Sequence, residues 1–131
     1  MFEKFIDKQY NYALVGASEN ENKYGFIVFK YLLDHGFCVF PVNPKAGIIL
    51  NKKVYKNLDE IDRDIDVVVF ITPPKITKQI LQSFPKLGIN KAWFQPGSQD
   101  DEVIQICDNL NIDTVTDNCI MVENEKIINK L

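Results

Sequence analysis

The chain has a single histidine, His35, and three cysteines, Cys38, Cys107 and Cys119, an odd number with no C-x-x-C spacing. Such a set makes neither a disulfide framework nor a zinc centre, so reduced thiols and no metal are expected. No stretch approaches the roughly 18 apolar residues of a membrane span. The opening MFEKFIDKQYNYALVG mixes acidic residues among its apolar ones instead of building a cleavable apolar core. Basic charge is also lacking. A net charge of -3 leaves no electrostatic footprint for nucleic acid or an anionic membrane. No repeat, low-complexity tract or Ser/Gly linker divides the chain. No Ser, His and Asp stand in positions suited to a catalytic triad. The acids Asp100, Asp101 and Glu102 are adjacent in a helical first turn, where they complement the dipole. A cytoplasmic protein without a catalytic residue is expected.

What is present is an ordinary globular composition: 131 residues, 46% hydrophobic and 25% charged. That length suits one domain, residues 1–131, with about two thirds of its unfolded surface buried. Short apolar runs alternate with helical patterns, the signature of successive βα units. The runs predict strands over 12–16 (YALVG), 38–42 (CVFPV), 66–71 (DVVVFI), 91–94 (KAWF) and 112–115 (IDTV). The unbroken Val67, Val68, Val69, Phe70 predicts a central strand covered on both faces. Helices are predicted over 24–35, stopping at Gly36, over 75–87, ending before Gly88, and over 99–110, opened by Ser98 and the acidic QDDE turn. A helical turn is expected at 58–61, and terminal helix or tail at 2–7 and 122–131. Cys38, Cys107 and Trp93 are expected in the core. With right-handed crossovers the fold class is α/β: a Rossmann-type doubly wound parallel sheet of about five strands, in order 3-2-1-4-5, with helices on both faces.

In such sheets ligands bind outside the carboxyl ends of the strands. The residues there are Ala17-Ser18, Asn43-Pro44-Lys45, Thr72-Pro73-Pro74, Gln95-Pro96-Gly97-Ser98 and Thr116-Asp117-Asn118-Cys119. The opposite edge carries only helix stops. Four of the six prolines, Pro44, Pro73, Pro74 and Pro96, fall on the carboxyl edge, where a fixed backbone shapes a rim. The first loop, GASENENKYG, is not G-x-G-x-x-G. It still delivers a helix N-terminus to the edge, where free amides, Ser18 and Lys23 suit a pyrophosphate; a plain turn capped by Ser18 or Asn22 is the alternative. NAD-binding units place an acid after the second strand to hold the ribose hydroxyls. Here the residues are Asn43-Pro44-Lys45, and a lysine without a carboxylate suits a ribose carrying an extra phosphate, as in coenzyme A or NADP. A solvated turn lysine beside Lys52 and Lys53 is the competing reading.

Together GASEN..KYG, PVNPK, the strand ending TPP, WFQPGS and DNCIMVE resemble the small CoA-binding proteins. They also resemble the CoA-binding N-terminal domain of the succinyl-CoA synthetase alpha subunit and of ADP-forming acyl-CoA synthetases. The resemblance covers nearly the whole chain, five blocks in one order. It implies that Gly16, Ala17 and Ser18, with Lys23, Tyr24 and Gly25, cradle the pyrophosphate of CoA or acyl-CoA. It implies further that Val42, Asn43, Pro44 and Lys45 border the adenosine and its 3′-phosphate. Ile71, Thr72, Pro73 and Pro74 then wall the adenine or the start of pantetheine, and Gln95, Pro96, Gly97 and Ser98 lie toward the pantetheine arm. Cys119 resembles a cysteine near the thiol end of the ligand, where a mixed disulfide with CoA is one reading and a small buried thiol the other, since no basic residue adjoins it in sequence.

The synthetases phosphorylate a histidine on a second domain, and these residues include neither. His35 falls at the end of the first predicted helix, away from the carboxyl edge, where it can cap carbonyls. The expected function is a CoA-binding carrier, sensor or regulatory module. The alternatives are an NADP-dependent or CoA-transforming enzyme, a subunit of an acyl-CoA synthetase, or an interaction protein using Ile48, Ile49 and Leu50. A homodimer and an unidentified protein partner are both compatible with the sequence.

Overall fold

The computed structural model describes residues 2–45 and 47–130. In chain order the elements are β1 (Asn11–Val15), α1 (Tyr24–Asp34), β2 (Cys38–Val42), β3 (Ile48–Ile49), β4 (Lys52–Lys53), a 3₁₀ turn (Leu58–Glu60), β5 (Val67–Phe70), α2 (Pro74–Leu81), α3 (Phe84–Leu87), β6 (Lys91–Phe94), α4 (Asp101–Asn109), β7 (Asp113–Val115) and α5 (Ile120–Asn129).

The main sheet has five parallel strands, each at one of the predicted runs, ordered β2-β1-β5-β6-β7. The predicted order 3-2-1-4-5 is thereby corrected, because it would leave Val67–Phe70 at an edge. All four residues of β5 are fully buried, and a strand that is apolar on both faces needs partners on both sides. The chain therefore steps from β2 over β1 to reach β5. Residues 43–66 make that crossover with a β3–β4 hairpin and the 3₁₀ turn in place of a helix.

Successive strand residues point to opposite faces. Tyr12, Leu14, Val67, Val69 and Trp93 join a core with Val28, Phe29 and Leu32 of α1 and Ile120 of α5. On the other side Ala13, Val15, Val68, Phe70 and Phe94 pack with Leu81 of α2, Phe84 of α3 and Val103 and Cys107 of α4. Helices thus cover both faces.

Several local expectations are corrected by nameable causes. The helix predicted over 75–87 is two helices, broken ahead of Pro85, which has no N–H to donate and whose ring crowds the preceding turn. The helix predicted from Gln99 starts at Asp101, and its cap is Asp100, whose carboxylate accepts from Val103 N at 2.8 Å. Ser98 is instead buried, donating to the Gln95 carbonyl at 2.7 Å. Residues 2–7 form turns, while the C-terminal helix begins two residues before the predicted 122, at Ile120. Met1 and Leu131 lie outside the described residues. Cys38 is exposed, not core, because β2 is an edge strand and Cys38 is its first residue. Cys107 and Trp93 are fully buried, as expected. His35 ends α1, its ring stacked 3.9 Å from Tyr31 with Nδ1 2.8 Å from the Tyr31 carbonyl. Among the described residues, no helix is long and apolar enough to cross a membrane.

Candidate functional site

The order β2-β1-β5 reverses the winding direction between β1 and β5, and that switch opens a crevice at their carboxyl ends. Gly16 ends β1 there with φ 98°, a backbone that L side chains rarely adopt. Its carbonyl meets the start of α1 so closely that a methyl group on Gly25 would sit 2.1 Å from the Gly16 oxygen. Glycine at both places lets the helix start press onto the strand end. The loop between them organises itself: Ser18 Oγ accepts from Asn20 N at 3.1 Å, Asn20 Oδ1 accepts from Asn22 N at 3.0 Å, and Asn20 O accepts from Lys23 N at 2.9 Å. None of these side chains turns back to the helix. Lys23 is the N-cap residue and no side chain caps α1; the Lys23 carbonyl accepts from Phe26 N at 3.1 Å and Ile27 N at 3.2 Å, which leaves the Tyr24 and Gly25 amides and the positive dipole end for an anion.

Two cavities flank this point, one on each face of the sheet. The larger, about 480 Å³, lies against α2 and the 3₁₀ turn; it is walled by Val15, Val42, Leu58, Ile76 and Ile80, with Gly16, Asn43, Pro44, Lys56, Asn57, Asp59, Thr72, Gln79 and Ser83 on its rim and floor. The smaller, about 340 Å³, lies between the first loop and the β3–β4 hairpin, and Ala17, Ser18, Glu19, Asn20, Lys23, Asn43, Lys45, Gly47, Ile48, Ile49 and Val54 line it. Asn43 borders both. Its Nδ2 donates to Ala17 O at 2.7 Å, its Oδ1 accepts from Lys45 N at 2.8 Å, and its own N–H donates to Tyr55 O at 2.9 Å. One side chain thereby fixes both loops.

A third group of side chains forms where the ends of β6 and β7 meet α1. Gln95 is fully buried. Its Oε1 accepts from Ile120 N at 2.8 Å, which orients the amide so that Nε2 donates to Tyr24 Oη at 2.8 Å and approaches Cys119 Sγ at 3.4 Å. Tyr24 Oη is 3.1 Å from the same sulfur. Cys119 is the N-cap residue of α5. Burial alone would raise its pKa, but the Tyr24 hydroxyl, the Val122 amide, the Gln95 amide and the Met121 amide outweigh it and hold the thiol below its ordinary value. Burial, and then the hydrogen bond to Cys119, push the Tyr24 phenol up. Trp93 Nε1 donates to Asn118 O at 2.8 Å, anchoring the same loop from the core.

The predicted residues therefore fall into separate groups. Gly16, Val42, Asn43, Pro44 and Thr72 meet at the larger cavity, and Ala17, Ser18, Lys23 and Lys45 at the smaller. Gly25 packs on Gly16, while the Tyr24 side chain turns to Gln95 and Cys119. Ile71, Pro73, Pro74, Pro96 and Gly97 line neither cavity; Pro73 and Pro74 instead start α2. Lys56, Leu58, Ile76, Gln79, Ile80 and Ser83 were not foreseen, since residues 56–59 reach the end of β2 through the bridge of Tyr55 to Val42, and residues 76–83 reach it through the placement of β5 beside β1. Among the described residues, no group of three or more His, Cys, Asp or Glu could hold a metal ion.

Residues 10–125 match the CoA binding domain family. The ADP-forming acetate–CoA ligase of Methanocaldococcus jannaschii is 28% identical over 132 residues, covering 95% of this chain and 19% of the ligase. The chain thus spans about a fifth of that relative. An uncharacterized protein of Bacillus subtilis, YneT, is 26% identical over 119 residues, covering 91% of this chain and 88% of its own length. Among solved structures, a conserved hypothetical protein from Pyrococcus furiosus superposes with a TM-score of 0.83 at 41% identity, covering 87% of this chain and 98% of that one. With the family matched across most of its length and the same fold in a relative of similar size, the chain belongs to the CoA binding domain family.

Proposed function

We propose that the protein binds coenzyme A or an acyl-CoA along the carboxyl edge of the sheet, as a carrier, sensor or regulatory module without a reaction of its own. The observation that carries this is the uncapped start of α1, pressed onto Gly16 between two cavities that share Asn43. In this reading the diphosphate rests on Gly16, Ala17, Ser18 and the first turn of α1, where free amides and the helix dipole favour an anion. The adenine enters the larger cavity, whose apolar walls suit a flat ring and whose rim offers Asn43, Thr72 and Gln79. Lys45, on the neighbouring cavity beside Lys23, takes the 3′-phosphate as a point charge. The pantetheine arm runs toward Gln95 and Cys119.

A second reading, favoured by the match to an acetate–CoA ligase over 95% of this chain, is that the domain supplies the CoA site of a larger synthetase and meets a protein partner. Both readings share the ligand.

Thermal unfolding with CoA, acetyl-CoA, NAD, NADP and ATP in parallel tests it. A ligand at about 100 times its dissociation constant adds roughly 2.7 kcal/mol, so the two CoA species should raise the midpoint and NAD should not. A shift with NADP and none with either CoA species overturns the proposal.

A further inference from the structure

The larger cavity is a trench with two unlike ends. Ile76, Ile80 and Ser83 line one side of it at helical spacing, and Gln82 and Ser83 keep helical backbone past the end of α2. At 1.5 Å per residue that wall runs about 10 Å from Ile76 to Ser83. Because β5 and β6 are parallel neighbours, the helices between them return toward the amino edge of the sheet. Gly16 and Thr72 therefore stand at the mouth and Ser83 at the far end. Lys86, one helical turn beyond Ser83, reaches Asp59 Oδ2 at 3.4 Å, which ties the 3₁₀ turn to α3 and places Asp59 at that same end.

The polar atoms there are of one kind. Ser83 Oγ donates its single hydrogen to the Ile80 carbonyl at 2.8 Å, so only lone pairs remain for a ligand. The carboxylate of Asp59 accepts on two oxygens, and Lys86 takes one of them. Gln79, exposed beside them, can turn either end of its amide and does not discriminate. At the mouth, both side-chain atoms of Asn43 are already engaged, by Ala17 O and Lys45 N. Two acceptors at the far end of an apolar trench suit a flat ring that carries N–H groups on its leading edge. A ring with a carbonyl there would set oxygen against oxygen.

We propose, resting on the CoA-binding reading, that Ser83 and Asp59 determine base specificity: each accepts one hydrogen of the exocyclic amine of adenine, and together they reject a base that bears an oxo group in its place. The base enters first, and the ribose stays at the mouth beside Asn43, which borders the neighbouring cavity with Lys45. Neither Ser83 nor Asp59 belongs to the loop that meets the diphosphate. Selection of the base is thus separable from phosphate binding, which any nucleotide of the same charge would satisfy.

Calorimetry compares CoA with CoA whose adenine has been deaminated to hypoxanthine, a ligand of the same shape and charge with an oxo group for the amine. The protein should bind CoA at least about tenfold more tightly. Ser83→Ala should narrow that ratio at least about threefold by weakening CoA. Asp59→Asn presents an amide N–H that can donate to the oxo group, so it should raise the affinity for the hypoxanthine ligand. Lys86→Ala removes the ion pair and leaves both acceptors, so it should keep the ratio. Equal affinity of the unmodified protein for the two ligands overturns this inference alone, and that comparison needs no variant to fold. A ratio unchanged in both Ser83→Ala and Asp59→Asn overturns it as well. Absence of binding by either ligand removes the CoA reading with it.

Discussion

A methyl group on Gly25 would lie 2.1 Å from the carbonyl oxygen of Gly16, closer than real Cβ atoms approach backbone. The contact joins the end of β1 to the start of α1, so the helix dipole and its free amides sit at the sheet edge instead of above it. Gly25→Ala must push the helix away. A cost of about 1–3 kcal/mol is expected from such overpacking, read in urea unfolding, and CoA affinity should fall by more than stability alone explains. Unchanged CoA binding in a folded Gly25→Ala protein would place the diphosphate elsewhere.

Lys45 and Lys56 stand on the two different cavities that Asn43 separates. Charge reversal at the lysine that meets the 3′-phosphate should weaken CoA about tenfold, roughly 1.4 kcal/mol, while leaving dephospho-CoA nearly unaffected. Calorimetry of Lys45→Glu and Lys56→Glu with both ligands assigns the phosphate. The selective loss is expected at Lys45, and selectivity at Lys56 would move the phosphate to the larger cavity.

Cys119 and Tyr24 give the protein a pH signature of two signs. The folded thiol titrates below its ordinary value, so its contribution to stability is present above the unfolded thiol pKa and is lost as pH falls through the folded one. The folded Tyr24 phenol titrates above its ordinary value; its contribution is full below the unfolded pKa of about 10 and is lost as pH rises through the folded one. Iodoacetamide labelling of Cys119 followed against pH should show a midpoint below that of a free thiol. In Tyr24→Phe the midpoint should rise, since a donor to the thiolate is gone.

The turn between β3 and β4 puts Leu50 at φ 50° and Asn51 at φ 65°, the two left-handed positions of a tight hairpin. Leucine is poorly suited to the first. Leu50→Asn should stabilise the fold by about 0.5–1 kcal/mol, visible as a higher urea midpoint. A loss of stability would mean that Leu50, 40% exposed, packs more than its turn conformation costs.

Trp93 is fully buried, and Nε1 donates to the Asn118 carbonyl just before Cys119. Trp93→Phe leaves that carbonyl without its donor, which costs about 1–3 kcal/mol. Because the same loop carries the sulfur, the mutant should also lose the lowered labelling midpoint of Cys119. A stability loss with the midpoint intact would separate the two roles.

The positions of the strands were legible in the sequence because a buried parallel strand writes itself as an apolar run, and Val67–Phe70 is the plainest of them. The loops at the carboxyl edge were legible because glycine, proline and asparagine are punctuation there, as at Gly16, Asn43 and Pro44. Strand order was not. An apolar run states that a strand has neighbours, not which ones, and only the sheet shows β5 hydrogen-bonded to β1. That pairing places α2, with Ile76 and Ser83, at one side of the larger cavity, while the bridge of Tyr55 to Val42 brings Lys56 to the other. The setting of the thiol was not legible for the same reason. No basic residue adjoins Cys119 in the chain, yet the groups that favour its thiolate include Tyr24 and Gln95, which are 95 and 24 residues away and meet the sulfur only in the fold. Sequence alone determined the elements and the edge on which a ligand sits, since local periodicity and turn chemistry act over a few residues. Tertiary structure decided which side chains share a cavity and what the sulfur feels, because hydrogen bonds and burial act through space.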